Sequence, residues 1–117
     1  MADINNLTPK IKGLMNKFLT ECKKQGIDLI VTQGFRSIAE QNALYAQGRT
    51  KPGKIVTNAK GGQSKHNFGN AFDVCFLINK KASYVGDWGK IGAIGELCGL
   101  KWGGRWKEFI DKPHFEI

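Results

Sequence analysis

Both histidines of this 117-residue chain lie close to carboxylates. One belongs to Ser64-Lys65-His66-Asn67-Phe68-Gly69-Asn70-Ala71-Phe72-Asp73, the other to Asp111-Lys112-Pro113-His114-Phe115-Glu116. Two imidazoles and one carboxylate make a zinc site that keeps its fourth position open. Such a site makes a hydrolytic nucleophile from water at neutral pH. Metal-assisted hydrolysis is therefore the chemistry these residue types support. Most histidines ligate nothing, so the weight rests on the pattern around the two rather than on their number.

Ligands must converge from rigid elements. Ala71 to Ile78 reads as a strand, and alternation along it sets Asp73 on one face and Phe72, Val74 and Phe76 on the other, where they can form a core beneath the site. Gly69 and Ala71 are small enough for the chain to bend back between His66 and Asp73. His114 opens a very short strand to Ile117, and Pro113 stiffens its approach. Glu116 shares the strand face of His114, either as a rival base or as a group that orients the ring. Cys75 shares the face of Asp73, which makes a Cys–His nucleophile conceivable, although a strand-interior cysteine is usually inert packing.

The remaining elements follow from periodicity and caps. Leu7, Ile11, Leu14, Met15, Phe18, Leu19 and Cys22 trace one helical stripe. Thr8 stands at its cap position, Pro9 in its first turn and Gly26 at its end. Asp28 to Phe35 reads as a mostly buried strand. Ser37-Ile38-Ala39-Glu40 is a capping-box pattern that opens a helix to about Gln47, with Gly48 as its stop. Residues 49–65 lack periodicity, and so long a connection in a small domain is usually functional. Asp87 caps a predicted helix from Trp88 to Cys98, where Gly89, Gly92 and Gly95 imply close approach of another part of the chain. Leu100 to Trp106 reads as a third strand. With no regular βαβ repeat, the order predicts a small α+β domain, residues 1–117, with a largely antiparallel sheet, about three helices and the zinc site in a cleft on the sheet.

Eighteen basic residues against ten acidic ones give a net charge of +8. No acidic residue falls between Glu40 and Asp73, whereas Arg49, Lys51, Lys54, Lys60 and Lys65 do. This basic stretch, which runs into His66, is either a solvated loop or a surface for an anionic partner. A nucleic-acid partner is disfavoured, because aromatic–basic interleaving and any recognisable module are missing. Cys22, Cys75 and Cys98 are odd in number and far apart, which points to reduced, buried thiols and a cytosolic product. The N-terminal residues lack the charge and apolar pattern of a signal peptide, and no apolar run approaches the ~20 residues of a membrane span.

Ser64-x-His66-x-x-Gly69-x-Ala71-x-Asp73, followed by Pro113-His114-Phe115, resembles the zinc peptidases of bacterial cell walls. That family includes D-Ala-D-Ala dipeptidases and carboxypeptidases and the L-alanyl-D-glutamate endopeptidases of phage endolysins. Gly34-Phe35-Arg36-Ser37, the helix ending near Gly48-Arg49, and Trp102-Gly103-Gly104-Arg105-Trp106 match family features in order. The resemblance implies that His66, Asp73 and His114 bind Zn2+, that Asp111 is the general base, and that Arg36 steadies the scissile carbonyl oxygen. Without it, Arg36 would read as an ordinary surface arginine at a helix start. Ser64 either hydrogen-bonds substrate or supports His66, and Trp102 and Trp106 are core residues or walls of the cleft. Aspartate at position 111 leans the subfamily toward the endopeptidases.

The expectation is a monomeric zinc endopeptidase that cuts the L-Ala–D-Glu bond of peptidoglycan stem peptides as a phage endolysin. It would be made in the host cytoplasm and reach the wall through a separate pore. It would carry no separate wall-binding domain, relying on charge to meet an anionic wall or outer-membrane surface. The alternatives are a D-Ala-D-Ala dipeptidase or carboxypeptidase on the same scaffold, and a non-catalytic zinc-stabilised binding domain.

Overall fold

In the computed structural model, which describes residues 2–117, the first apolar stripe forms helix α1 (Pro9–Lys24) and buries Ile11, Met15, Phe18 and Cys22. Thr8 occupies the cap position, but its hydroxyl bonds the Asn70 side-chain oxygen at 3.0 Å instead of capping the helix. Its N–H donates to the Gly69 carbonyl at 3.0 Å. The start of α1 is thus fastened to the segment that enters the second strand. Gly26, at φ 76°, turns the chain out of α1, a conformation that is easy only without a Cβ.

Five strands form one antiparallel sheet: β1 (Leu29–Gln33), β2 (Ala71–Ile78), β3 (Lys81–Ser83), β4 (Lys101–Trp102) and β5 (His114–Glu116). Their order is β1-β2-β5-β4, with β3 paired to the far end of β2. As the alternation predicts, Phe72, Val74 and Phe76 point to the core, where Phe18, Ile91, Trp102 and Phe115 join them. The Phe18 ring lies 4.6 Å from that of Phe115 and 6.0 Å from that of Phe72. Helix α3 (Trp88–Leu97), capped by Asp87 accepting from Lys90 N–H at 3.0 Å, covers the same face. A Cβ on Gly92 would overlap the Trp102 ring and one on Gly95 the Phe115 ring. Gly89 has no such neighbour.

Helix α2 (Ile38–Ala46) begins with the reciprocal Ser37–Glu40 capping box. Three expectations change. β1 is half-exposed and not mostly buried, because it is an edge of the sheet paired with β2 alone. The third strand holds only Lys101 and Trp102 before a 3-10 turn over Gly103–Arg105, since Gly103 packs against the Asp111 carbonyl and not in a ladder. β3 is an addition, formed by a two-residue hairpin turn with Asn79 at φ 52° and Lys80 at φ 64°. Both residues of such a turn need positive φ, and without the usual glycine the hairpin left little mark in the sequence.

Candidate metal centre

Cross-strand register builds the centre. Asp73 on β2 stands directly opposite His114 on β5, on the face away from Phe72 and Phe115, which pair beneath them. Between Val31 and Gln33 the β1–β2 register slips, and this bulge sets Gln33 opposite Asp73. His66 comes from a 3-10 turn, Lys65–Phe68, whose cap is Ser64. The Ser64 hydroxyl accepts from His66 N–H at 3.2 Å, and Asn67 Oδ1 accepts from Ser64 N–H at 3.2 Å. Gly69 closes the turn at φ 70°, where a Cβ would strike the Asn6 carbonyl.

This turn is locked to residues 34–37. Arg36 N–H donates to the His66 carbonyl at 3.0 Å, and the Asn67 amide donates to the Arg36 carbonyl at 2.8 Å. The Gly34 carbonyl lies 2.7 Å from His66 Nδ1. Residues 34–36 therefore hold both the His66 ring, through the Gly34 carbonyl, and its backbone, through Arg36 N–H. Ser64 bonds the His66 backbone and also lines the cleft.

His66 Nε2, Asp73 Oδ1 and His114 Nδ1 form a triangle with edges of 3.1, 3.2 and 3.3 Å. Zinc with ligands at about 2.0–2.1 Å in a tetrahedron separates them by roughly 3.3–3.4 Å, so this donor set fits the ion. The far nitrogens face acceptors: the Gly34 carbonyl for His66 and Glu116 Oε1, at 2.7 Å, for His114. With zinc bound, each far nitrogen would carry the ring's proton, so that His66 Nε2 and His114 Nδ1 present lone pairs to the ion; without it, His114 Nδ1 is a donor to Asp73. Burial works against a charged His114, yet the hydrogen bonds to Asp73 and Glu116 prevail and raise its pKa to about 9. Burial likewise opposes an ionised Asp73, but hydrogen bonds from both histidines hold its carboxyl far below the usual range.

The triangle lies in a cleft of about 1150 Å³ that also takes in Arg36, Asp111 and Trp106. Burial, and then the charge of Asp73, push the Asp111 carboxyl above its ordinary value, while His114, His66 and Arg36 pull the other way. Burial lowers the Arg36 pKa against the pull of Asp73, Glu40 and Asp111. Trp106 stands with its ring 5.0 Å from that of His114 and forms a wall. Trp102 is core, its indole N–H donating to the Lys112 carbonyl at 2.7 Å. Cys75 is fully buried, and the free thiols of Cys22 and Cys98 are buried in the core.

The basic stretch is ordered by side chains rather than by secondary structure. Arg49 donates to the Tyr45 and Thr57 carbonyls at 2.7 and 3.0 Å and stacks on the Tyr45 ring. Asn42 Oδ1 accepts from Gly61 N–H at 2.8 Å, and Gln41 donates to the Ala59 carbonyl at 2.8 Å. Lys51, Lys54 and Lys65 stay exposed. Gln33, Gln41 and Asn67 are site-building residues that the sequence reading missed. Asn67, three residues after Ser64, carried a faint capping-box signal; the glutamines carried none.

A family model described as D-alanyl-D-alanine carboxypeptidase matches residues 57–117. The peptidoglycan L-alanyl-D-glutamate endopeptidase CwlK of Bacillus subtilis (strain 168) is 40% identical over 126 aligned positions, covering 97% of this chain and 74% of that protein. The L-alanyl-D-glutamate peptidase of Listeria phage A118 is a more distant relative, 26% identical, and the chain spans 40% of its length. Among solved structures, the L-Ala D-Glu endopeptidase ChiX of Serratia marcescens superposes with a TM-score of 0.73 at 23% identity, covering 97% of this chain and 82% of that one. A vancomycin resistance D,D-pentapeptidase, VanY, solved with Zn(II), gives 0.70 at 15% identity, over 94% and 71% of the two chains. At these identities the two structures establish the fold alone.

Proposed function

The chain belongs to the peptidase M15 family, and we propose that it is a zinc endopeptidase hydrolysing the L-Ala–D-Glu bond of peptidoglycan stem peptides. The observation that carries this reading is the donor triangle of His66, Asp73 and His114, with edges near 3.2 Å, in a cleft shared with Asp111 and Arg36. The choice of bond draws its support from the 40% identical relative. Zinc held by His66, Asp73 and His114 would lower the pKa of a water to about 7 and polarise a carbonyl. Asp111 takes the proton of the attacking water and returns it to the departing D-Glu amine as the C–N bond breaks. Arg36 offers a fixed cation where negative charge gathers on the carbonyl oxygen. Trp106 forms one side of the cleft beside His114.

Digesting purified peptidoglycan and identifying the new amino termini tests the assignment. D-Glu termini are expected; release of D-alanine would instead favour the carboxypeptidase reading. Repeating the digestion at rising salt tests whether Lys51, Lys54, Lys60 and Lys65 draw the enzyme to an anionic wall. Exposed charges are screened beyond ~8 Å at physiological ionic strength, so hydrolysis of intact wall should fall with salt while that of a short neutralised peptide changes little. Equal sensitivity of both substrates would remove the steering role.

The finer form of the proposal is a lytic role, with enzyme from the host cytoplasm reaching the wall through a separate pore. Its support is the net charge of +8 and the phage relative. Lysis of expressing cells only when a pore-forming protein is co-expressed is the outcome that fits this role.

A further inference from the structure

We infer that Gln41 is a positioning residue, which holds the Arg36 guanidinium in the cleft and ties it to the lining at Thr57 and Ala59. This rests on the role of Arg36 proposed above. Among the described residues, the buried polar or charged side chains are His66, His114 and Gln41, and Gln41 is 0% exposed. A buried carboxamide is costly unless its oxygen and nitrogen both find partners. Gln41 satisfies both: Oε1 accepts from Arg36 Nη1 at 2.8 Å, and Nε2 donates to the Ala59 carbonyl at 2.8 Å and to Thr57 Oγ1 at 3.4 Å.

Arg36 depends on this contact. Its Nε is buried with no hydrogen-bond partner, and its other side-chain bond, Nη2 to Gln33 Oε1, is long at 3.4 Å. Among the described residues no carboxylate forms an ion pair with it. A neutral amide therefore fixes the guanidinium without neutralising it, which leaves the cation's field for the substrate. A carboxylate at position 41 would cancel that field.

The backbone makes the clamp stiff. Gln41 N–H donates to the Ser37 carbonyl at 3.0 Å in the first turn of α2, directly behind the Ser37–Glu40 capping box. Arg36 immediately precedes that box, so both ends of the Arg36–Gln41 bond sit on one capped helix start. Thr57 and Ala59, which Gln41 Nε2 reaches, also line the cleft. The arrangement links the Arg36 guanidinium to the part of the cleft lining formed by Thr57 and Ala59.

The test compares wild type, Gln41→Met, Arg36→Ala and the double variant as zinc-loaded enzymes on a disaccharide-linked stem peptide. Gln41→Met keeps the side-chain volume and removes the hydrogen bonds. Its kcat should fall about 10- to 100-fold, the scale of a roughly 1 Å misplacement, with KM and zinc content near wild type. In the Arg36→Ala background the same substitution should have little further effect. Independent losses that multiply would overturn the inference while leaving the role of Arg36 intact. Wild-type turnover by Arg36→Ala would overturn both. A second readout does not depend on activity: nitrogen-15 relaxation of the Arg36 Nε–H should show a rigid side chain in wild type and a mobile one in Gln41→Met. Unchanged rigidity overturns the inference. Should Gln41→Met not fold, Gln41→Glu keeps the size and the acceptor and is expected to lower kcat by neutralising Arg36; wild-type kcat in it would sink the proposal.

Discussion

His114→Ala is expected to abolish hydrolysis and to empty the centre of zinc, and His66→Ala should do the same. Each histidine supplies one corner of a triangle whose other two donors cannot close a tetrahedral site alone. The consequence reaches beyond chemistry, because the three corners come from three separate pieces of chain. Asp73 belongs to β2, His114 to the three-residue β5, and His66 to the turn before β2. A metal on these donors cross-links all of them, so its binding energy becomes local folding energy. Chelation of the wild-type enzyme should therefore speed amide exchange along β5 and the 65–68 turn, while Phe18, Phe72 and Phe115 keep the core closed. Elemental analysis of active enzyme and hydrogen exchange with and without chelator check both parts. Full activity in zinc-free protein would end the metal assignment.

Asp111→Asn should retain zinc and fold but lose on the order of 10²–10⁴ in rate, the usual contribution of an acid–base group. The carboxylate hangs from a turn in which the Asp111 carbonyl accepts from His114 N–H at 3.2 Å and Asp111 N–H donates to the Gly103 carbonyl at 3.1 Å. Its side chain enters the cleft, close enough to Asp73, His66 and Arg36 to feel their charges. Glu116, the rival base, is already committed: its Oε1 accepts a hydrogen bond from His114 Nε2–H at 2.7 Å. Glu116→Gln keeps a carbonyl oxygen for that bond and weakens the ligand, so about a 10- to 100-fold loss of zinc affinity is expected, in the range of other such partners of ligating histidines. Turnover of both variants at saturating zinc separates the roles. A dead Glu116→Gln beside a nearly normal Asp111→Asn would reverse them.

Much of the scaffold was legible in the residues themselves. The α1 stripe, the Ser37–Glu40 box, the Asp87 cap and the full extent of β2 depend on neighbours within a turn or on strict alternation, and sequence carries such information directly. The alternation set Asp73 on the face opposite the core, and the family resemblance of the motif around His66 and of Pro113-His114-Phe115 implied that His66, Asp73 and His114 share one site. Their meeting needed only that β5 pair with β2 in a register that sets His114 beside Asp73.

Tertiary structure decided what depends on partners far along the chain. Which ring nitrogen faces the metal follows from Gly34, thirty-two residues before His66, and from Glu116 across the His114 ring. Trp106 rather than Trp102 forms the cleft wall because the missing Cβ atoms of Gly92 and Gly104 leave room for the Trp102 ring in the core. Gln41 looks from sequence like any polar residue of a short helix, and only the packing of the 57–59 wall over α2 seals it from water beside Arg36. Local spacing specifies which side chains share a face; which lone pair, proton or cation is left free at a site is set by the acceptors and donors that folding brings against it.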